Sequence, residues 1–326
     1  MLATPLVWAL LVATASAVAA AATVSGGADE YVSPRCQLVR IGGRKKKGFG
    51  GWTFCEMRNH STIFSVGIGN DVTFDVAVAR QYAARVDCFD PTLKRLDFEA
   101  LATPHALTPD ERSLLTFYPF GLAATDDVLT FYRKPDRPSM ATNLHQDESA
   151  GYNDKLSFPA PVLRFQTLMT MAGRTRVDIL KVDIEGGEYG LFNAGAESWL
   201  GDLRLAPAQI NVEFHDKLAT HAHRLNASAD AHRSGISSRS RSRSRATRAK
   251  QPPAQPAQQP SEPAPEEVGL EVAATPRDAT KRVIGLLKSC GYTQRYVHPD
   301  NSWLMVRTGP PREACVRGAR EEWVRI

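Results

Sequence analysis

Charge is missing from the start of the chain, where no acidic or basic side chain precedes Asp29. Residues 1–24 instead hold an apolar run, Leu6 to Val12, then small residues including Ala15-Ser16-Ala17 and Ala19 to Ala22. This has the form of a secretory signal with a peptidase site, although a positive n-region is absent. An uncleaved signal anchor is the alternative, because the stretch is just long enough to span a bilayer. No other segment is. Cysteine is also scarce. Five residues, Cys36, Cys55, Cys88, Cys290 and Cys315, exclude a dense disulfide scaffold and suit one or two bridges in an oxidising compartment, with an odd thiol left over. Net charge is only +5, and much of the positive excess sits in two local clusters. A nucleic-acid-binding face is therefore not expected on global charge. Aromatic residues are lacking around Arg44-Lys45-Lys46-Lys47, so that cluster reads as a solvated loop.

What is present is enough for a core. With 326 residues and 43% hydrophobic content, the chain accommodates one domain carrying tails. Its organising stretch is Val177 to Leu191, V-D-I-L-K-V-D-I-E-G-G-E-Y-G-L. A β-branched, apolar first half and an acidic, glycine-rich second half describe a buried parallel strand that ends at a ligand crevice. Asp183 and Glu185 are two residues apart, so an extended backbone sends both carboxylates to one face. Capping of the following helix is the plainer role for the same pair.

The remaining elements follow the same alternation. Residues 25–61 read as an N-terminal extension, in which Cys36 and Cys55 either staple the basic loop or remain free thiols. Thr62 to Val66 predicts a strand, Gly67 to Asp71 a glycine turn, and Val72 to Ala84 a helix with Asp71 as N-cap. Arg85 to Asp90 predicts a second strand whose terminal acid stands about twenty residues beyond the glycines, the spacing that grips a nucleotide ribose. Leu114 to Leu122 and Val128 to Tyr132 read as further strands, and Val162 to Met171 as a strand running into a helix. Gly187 to Leu200 reads as helix and Ala208 to Asp216 as a strand ending in titratable residues. Pro276 to Cys290 predicts a helix closed by Gly291, followed by a hairpin of Tyr292 to His298 and Trp303 to Arg307.

Residues 221–268 change character. Ser237 to Arg245 repeats Arg and Ser, and Gln251 to Pro265 is proline-rich, so this insertion is expected to be disordered and to interrupt a domain of residues 62–220 and 269–308, with a tail at 309–326. The Arg/Ser repeat also raises an RNA-associated reading. Asn59-His60-Ser61 and Asn226-Ala227-Ser228 fit the glycosylation pattern.

Three strings, Phe64-Ser65-Val66-Gly67-Ile68-Gly69-Asn70-Asp71 with Phe74-Asp75, Cys88-Phe89-Asp90-Pro91-Thr92, and Asp178-Ile179-Leu180-Lys181-Val182-Asp183-Ile184-Glu185-Gly186-Gly187-Glu188, resemble the FkbM-type S-adenosylmethionine-dependent methyltransferases. Tyr118-Pro119-Phe120-Gly121-Leu122 and Val212-Glu213-Phe214-His215 fit as well. The resemblance implies an α/β class, Rossmann-like sheet of seven strands with helices on both faces, its last, antiparallel strand coming from the terminal hairpin. It implies S-adenosyl-L-methionine as cofactor. Gly67, Gly69, Asn70 and Asp71 would form the cofactor-binding turn, the two glycines approaching the methionine part. Asp90 would take the ribose hydroxyls and Asp126 would face the adenine. Asp183 and Glu185 would border the methyl-transfer cleft. Two departures stand out: Ser65 where many such enzymes carry an acid, and Asp71 where many carry a third glycine.

Methyl transfer needs an acceptor atom held in line with the methyl and often a base for its proton. His215 is the candidate base, since its ordinary pKa lies near neutrality and it ends a strand expected beside Val177 to Asp183. A hydrogen-bonded structural histidine is the alternative. Asp183, Glu185, Glu213 and His215 are of metal-ligand type, but no metal is assigned. The expected activity is O-methylation of a glycan or small-molecule hydroxyl in the secretory lumen or outside the cell, the N-terminal segment being a possible membrane anchor. The sequence does not indicate an oligomeric state. A catalytically inactive cofactor- or partner-binding module is the alternative reading.

Overall fold

The structure is a computed structural model and describes residues 36–43, 50–134, 137–142, 153–193, 196–215, 276–299, 301–312 and 315. The leader, the basic loop at 44–47, the Arg/Ser insertion and the Asn226 sequon lie outside the described residues. The strands in chain order are β1 Leu38–Gly42, β2 Gly51–Cys55, β3 Thr62–Val66, β4 Arg85–Phe89, β5 Leu115–Tyr118, β6 Gly121–Leu122 and β7 Asp127–Lys134. They continue with β8 Arg137–Thr142, β9 Asn153–Leu163, β10 Ile179–Val182, β11 Gln209–Glu213, β12 Tyr292–Val297 and β13 Ser302–Arg307.

Seven of these form one sheet in the order β12-β13-β11-β10-β3-β4-β5. From β11 to β5 the neighbours are parallel, and β13 runs antiparallel to β11 with β12 antiparallel to β13. The terminal hairpin thus supplies the antiparallel edge, as the resemblance implies. Strand order reverses at β3: β4 and β5 extend one way, β10 and β11 the other. Such a switch point opens a crevice at the carboxyl ends of the strands.

Alternation along the central strands fills two cores. Phe64 and Val66 of β3, Leu180 and Val182 of β10, and Ile210 and Val212 of β11 pack against the helices Phe165–Ala172, Glu188–Asn193, Glu197–Leu200 and Pro276–Ser289. Ile63, Val86, Cys88 and Ile179 face the other way, onto the helices Thr73–Tyr82 and Arg95–Ala102. The β1–β2 hairpin covers that second face with Ile41, Trp52 and Phe54 and is stapled by a Cys36–Cys55 disulfide. It docks through side-chain amides. Gln209 exchanges two hydrogen bonds with the Cys55 backbone, and Asn211 Nδ2 donates to the Thr53 carbonyl. The described part of the extension, β1 and β2, thus packs on the main sheet and has its β2 backbone groups satisfied by these amides.

Three elements differ from the sequence expectation. Leu114 to Leu122 is not one strand: β5 stops at Tyr118, and after Pro119, which has no N–H to offer a ladder, Gly121 and Leu122 join a separate four-stranded sheet of order β6-β9-β7-β8. Gly187 to Leu200 is two helices, Glu188–Asn193 and Glu197–Leu200, the second carrying Trp199 onto Phe165 at a ring separation of 4.6 Å. The helix after the glycine turn begins at Thr73 with Val72 in the N-cap position, while Asp71 Oδ1 accepts from Thr73 N at 2.8 Å from one residue earlier. The last helix ends at Ser289 and Gly291 follows at φ +90°, as the glycine predicts. A second disulfide, Cys290–Cys315, secures that end.

Candidate active site

The glycine turn and the acidic stretch meet at the β3–β10 boundary. Gly67 has φ +78°, and a Cβ added there would fall 1.6 Å from the Asp183 carbonyl oxygen. Only glycine allows this approach of backbone on backbone. Lys181, a charged residue in the middle of an otherwise apolar strand, joins the two segments. Its ammonium donates to the Gly67 carbonyl and lies 3.8 Å from Asp183 Oδ2.

Asp90 shapes the same turn. Its Oδ2 accepts from the backbone N–H groups of Ile68 at 2.9 Å and Gly69 at 2.8 Å. Its Oδ1 accepts from Thr92 N at 2.8 Å and Thr92 Oγ1 at 2.6 Å. Four donors from the chain thus engage the carboxylate expected to take the ribose hydroxyls. Asn70 is exposed at the tip of the turn. Asp71 turns to the helix start. Asp126 holds another helix start, accepting from Arg164 N at 2.7 Å, from the Arg164 guanidinium and from Thr167 Oγ1 at 2.9 Å. Asp126, expected to face the adenine, is thus tied to Arg164 and Thr167 at the start of that helix. Ser65 is fully buried beneath the turn, and Asp75 of the neighbouring helix is buried as well. Burial pushes the Asp75 pKa up, while the charge of Lys181 and the Ser65 hydroxyl oppose the rise.

Beyond the ends of β10 and β11, Asp183, Glu185 and His215 come together. His215 Nε2 lies 3.7 Å from Asp183 Oδ1, 3.9 Å from Glu185 Oε2 and 3.9 Å from Glu213 Oε1. On the other side of the ring Nδ1 is 2.9 Å from Glu188 Oε1. Glu188 is fully buried, and its two oxygens also accept from Ile184 N and Gly186 N at 3.0 Å each. It thereby fixes the turn in which Glu185 takes φ +51° and Gly186 φ +100°.

Burial opposes a charge on His215, but the hydrogen bond to Glu188 and the charges of Glu188, Asp183 and Glu185 outweigh it and raise the pKa to about 10. The acids around the ring thus favour its protonated form over the free imidazole expected of a general base. Glu188 and Lys181 were not singled out by sequence reasoning. Their signals were a charge within an apolar strand and an acid three residues after Glu185, at the first turn of a helix.

The sequence profile of the methyltransferase FkbM domain matches residues 44–293. No curated protein matches the chain in sequence. Among solved structures, the crystal structure of methyltransferase FkbM from Methylobacillus flagellatus KT is similar at 12% identity, covering 48% of this chain and 34% of that one, with a TM-score of 0.31. The chain thus spans about a third of that protein's length.

Proposed function

Since the chain belongs to the FkbM methyltransferase family, we propose that it transfers a methyl group from S-adenosylmethionine to a hydroxyl of a glycan or small molecule, in the crevice between the glycine turn and the His215 cluster. The observation that carries this reading is the contact of Gly67 with the Asp183 backbone, which sets the glycine turn beside converging carboxylates at the sheet's switch point. These residues suit the cofactor. Gly69, at positive φ, has no side chain to hinder a close approach, and Asp183, Glu185 and Glu213 complement a sulfonium charge.

When bound, S-adenosylmethionine supplies an electrophilic methyl carbon on sulfur. Asp183, the most exposed carboxylate around the ring at 29%, is placed to take the hydroxyl proton as the oxygen forms its bond to carbon. The methyl donor would keep the carbon–sulfur electron pair on its sulfur, which neutralises the sulfonium charge that the nearby carboxylates complement. Lys181 holds Gly67 and Asp183 in fixed relation, so the turn and the proton acceptor move together. The two disulfides support a secretory or extracellular setting, in which Asn59, exposed ahead of β3, is open to glycosylation. Among the described residues no helix is long and apolar enough to cross a membrane.

The test is transfer of labelled methyl from S-adenosylmethionine to a panel of glycans, small alcohols, lipids and protein. Label on a hydroxyl acceptor, lost in Asp183→Asn, is expected. Binding of the methyl donor with no transfer to any acceptor would favour an inactive binding module instead.

A further inference from the structure

We propose that Asp183, Glu185 and His215 form a binding site for a divalent cation, the ion displacing the Nε2 proton to solvent, with Glu188 orienting the imidazole. One ligand atom from each of the three lies within 4.8 Å of the others. The separations from His215 Nε2, 3.7 Å to Asp183 Oδ1 and 3.9 Å to Glu185 Oε2, are too long for hydrogen bonds. They are close to the spacing of two ligands that share an ion. Metal–ligand bonds of about 2.0–2.4 Å place neighbouring ligand atoms roughly 3–4 Å apart.

A second observation comes from outside the ligand set. Glu188 engages Nδ1 at 2.9 Å while both its oxygens are held by the Ile184 and Gly186 N–H groups. The buried carboxylate is thus unable to follow the ring elsewhere, and it fixes Nε2 toward the open side of the cluster. Among the described residues Nε2 makes no hydrogen bond; its neighbours there are carboxylate oxygens at 3.7 to 3.9 Å. A histidine whose far nitrogen is locked by a carboxylate is the arrangement that orients metal-binding imidazoles.

The surrounding charge points the same way. Asp183, Glu185, Glu188 and Glu213 surround one imidazole, with Lys181 3.8 Å from Asp183 as the adjacent ammonium. Two carboxylates and one imidazole, with no thiolate, suit a cation that prefers oxygen and nitrogen, such as Mn²⁺, and leave further positions to water or an acceptor oxygen. Glu213 stands beside the ring as a fourth carboxylate.

The experiment uses the full chain stripped with chelator and contains no methyl donor. Titration with Mn²⁺, followed by calorimetry and by the electron paramagnetic resonance of free Mn²⁺, is expected to show one equivalent bound at micromolar concentration. His215→Gln and Glu185→Gln are expected to weaken binding at least tenfold. Glu188→Gln, which keeps all three ligands, is expected to weaken it about tenfold. Asp110→Asn, an exposed acid on a distant helix, is the unchanged control. Melting curves identify any variant that fails to fold, and the remaining variants then decide. Wild-type uptake only at millimolar Mn²⁺, or equal affinity in His215→Gln and Glu185→Gln, would overturn the site. Methyl transfer is assayed apart, both in chelator and with Mn²⁺ restored: cation uptake with no transfer under either condition keeps the site and removes the functional reading, whereas transfer without uptake does the reverse.

Discussion

Glu188 and His215, 27 residues apart, meet in a 2.9 Å contact between a fully buried carboxylate oxygen and Nδ1. The contact has a pH signature in the cation-free protein. A folded-state pKa raised from 6.5 to about 10 means that the bonus from protonated His215 is fully present below about pH 6.5 and is lost as pH rises through about 10. Wild-type stability should therefore decline across that window beyond the decline seen in His215→Gln. In Glu188→Gln the His215 resonances, followed by NMR in chelator, should titrate at lower pH. An unshifted titration would remove Glu188 as the partner that sets the charge.

Asp90→Ala should destabilise the fold. Removing the carboxylate leaves the Ile68, Gly69 and Thr92 N–H groups without their acceptor, and a buried unsatisfied donor costs about 1–3 kcal/mol. Denaturant unfolding should show a loss of about 2 kcal/mol or more. A variant of unchanged stability that binds methyl donor more weakly would return Asp90 to the role of ribose ligand.

Gly67→Ala should be among the most damaging small substitutions in the chain. The added methyl meets the Asp183 carbonyl at 1.6 Å, and φ +78° is itself unfavourable for alanine. A loss on the order of 4 kcal/mol is expected from the unfolding midpoint. Gly173→Ala gives the comparison: it also has positive φ, but nothing lies within 4 Å of the added Cβ, so its cost should be about 1 kcal/mol.

The native protein should show no reactive thiol. Cys36–Cys55 and Cys290–Cys315 are bridged, and burial together with the nearby Asp75 and Asp87 charges pushes the Cys88 thiol well up. A thiol reagent should titrate one group, and only after unfolding without reductant. Replacing Cys36 and Cys55 by serine should cost about 3 kcal/mol, since the bridge spans 19 residues. More than one titrated group in the unfolded, unreduced chain would contradict the pairing.

Much of this architecture was legible in local pattern. The apolar, β-branched run ending in Asp183, the glycines at 67 and 69, and the terminal hairpin announce a parallel sheet with an antiparallel edge, because side-chain alternation and turn chemistry act over a few residues. The convergence of Asp183, Glu185 and His215 was also legible, since both strands end at the same edge of one sheet. Tertiary structure alone decided how the polar groups were shared out. Asp90 and Asp126 look like open carboxylates in sequence, yet Gly69 and Thr92 engage the first and Arg164 and Thr167 the second. Glu188 reads as an ordinary helix-start acid until β11 delivers His215 to it. A carboxylate's partners are set by which segments fold against it, and hydrogen-bond geometry over a few ångströms is not written in residue spacing.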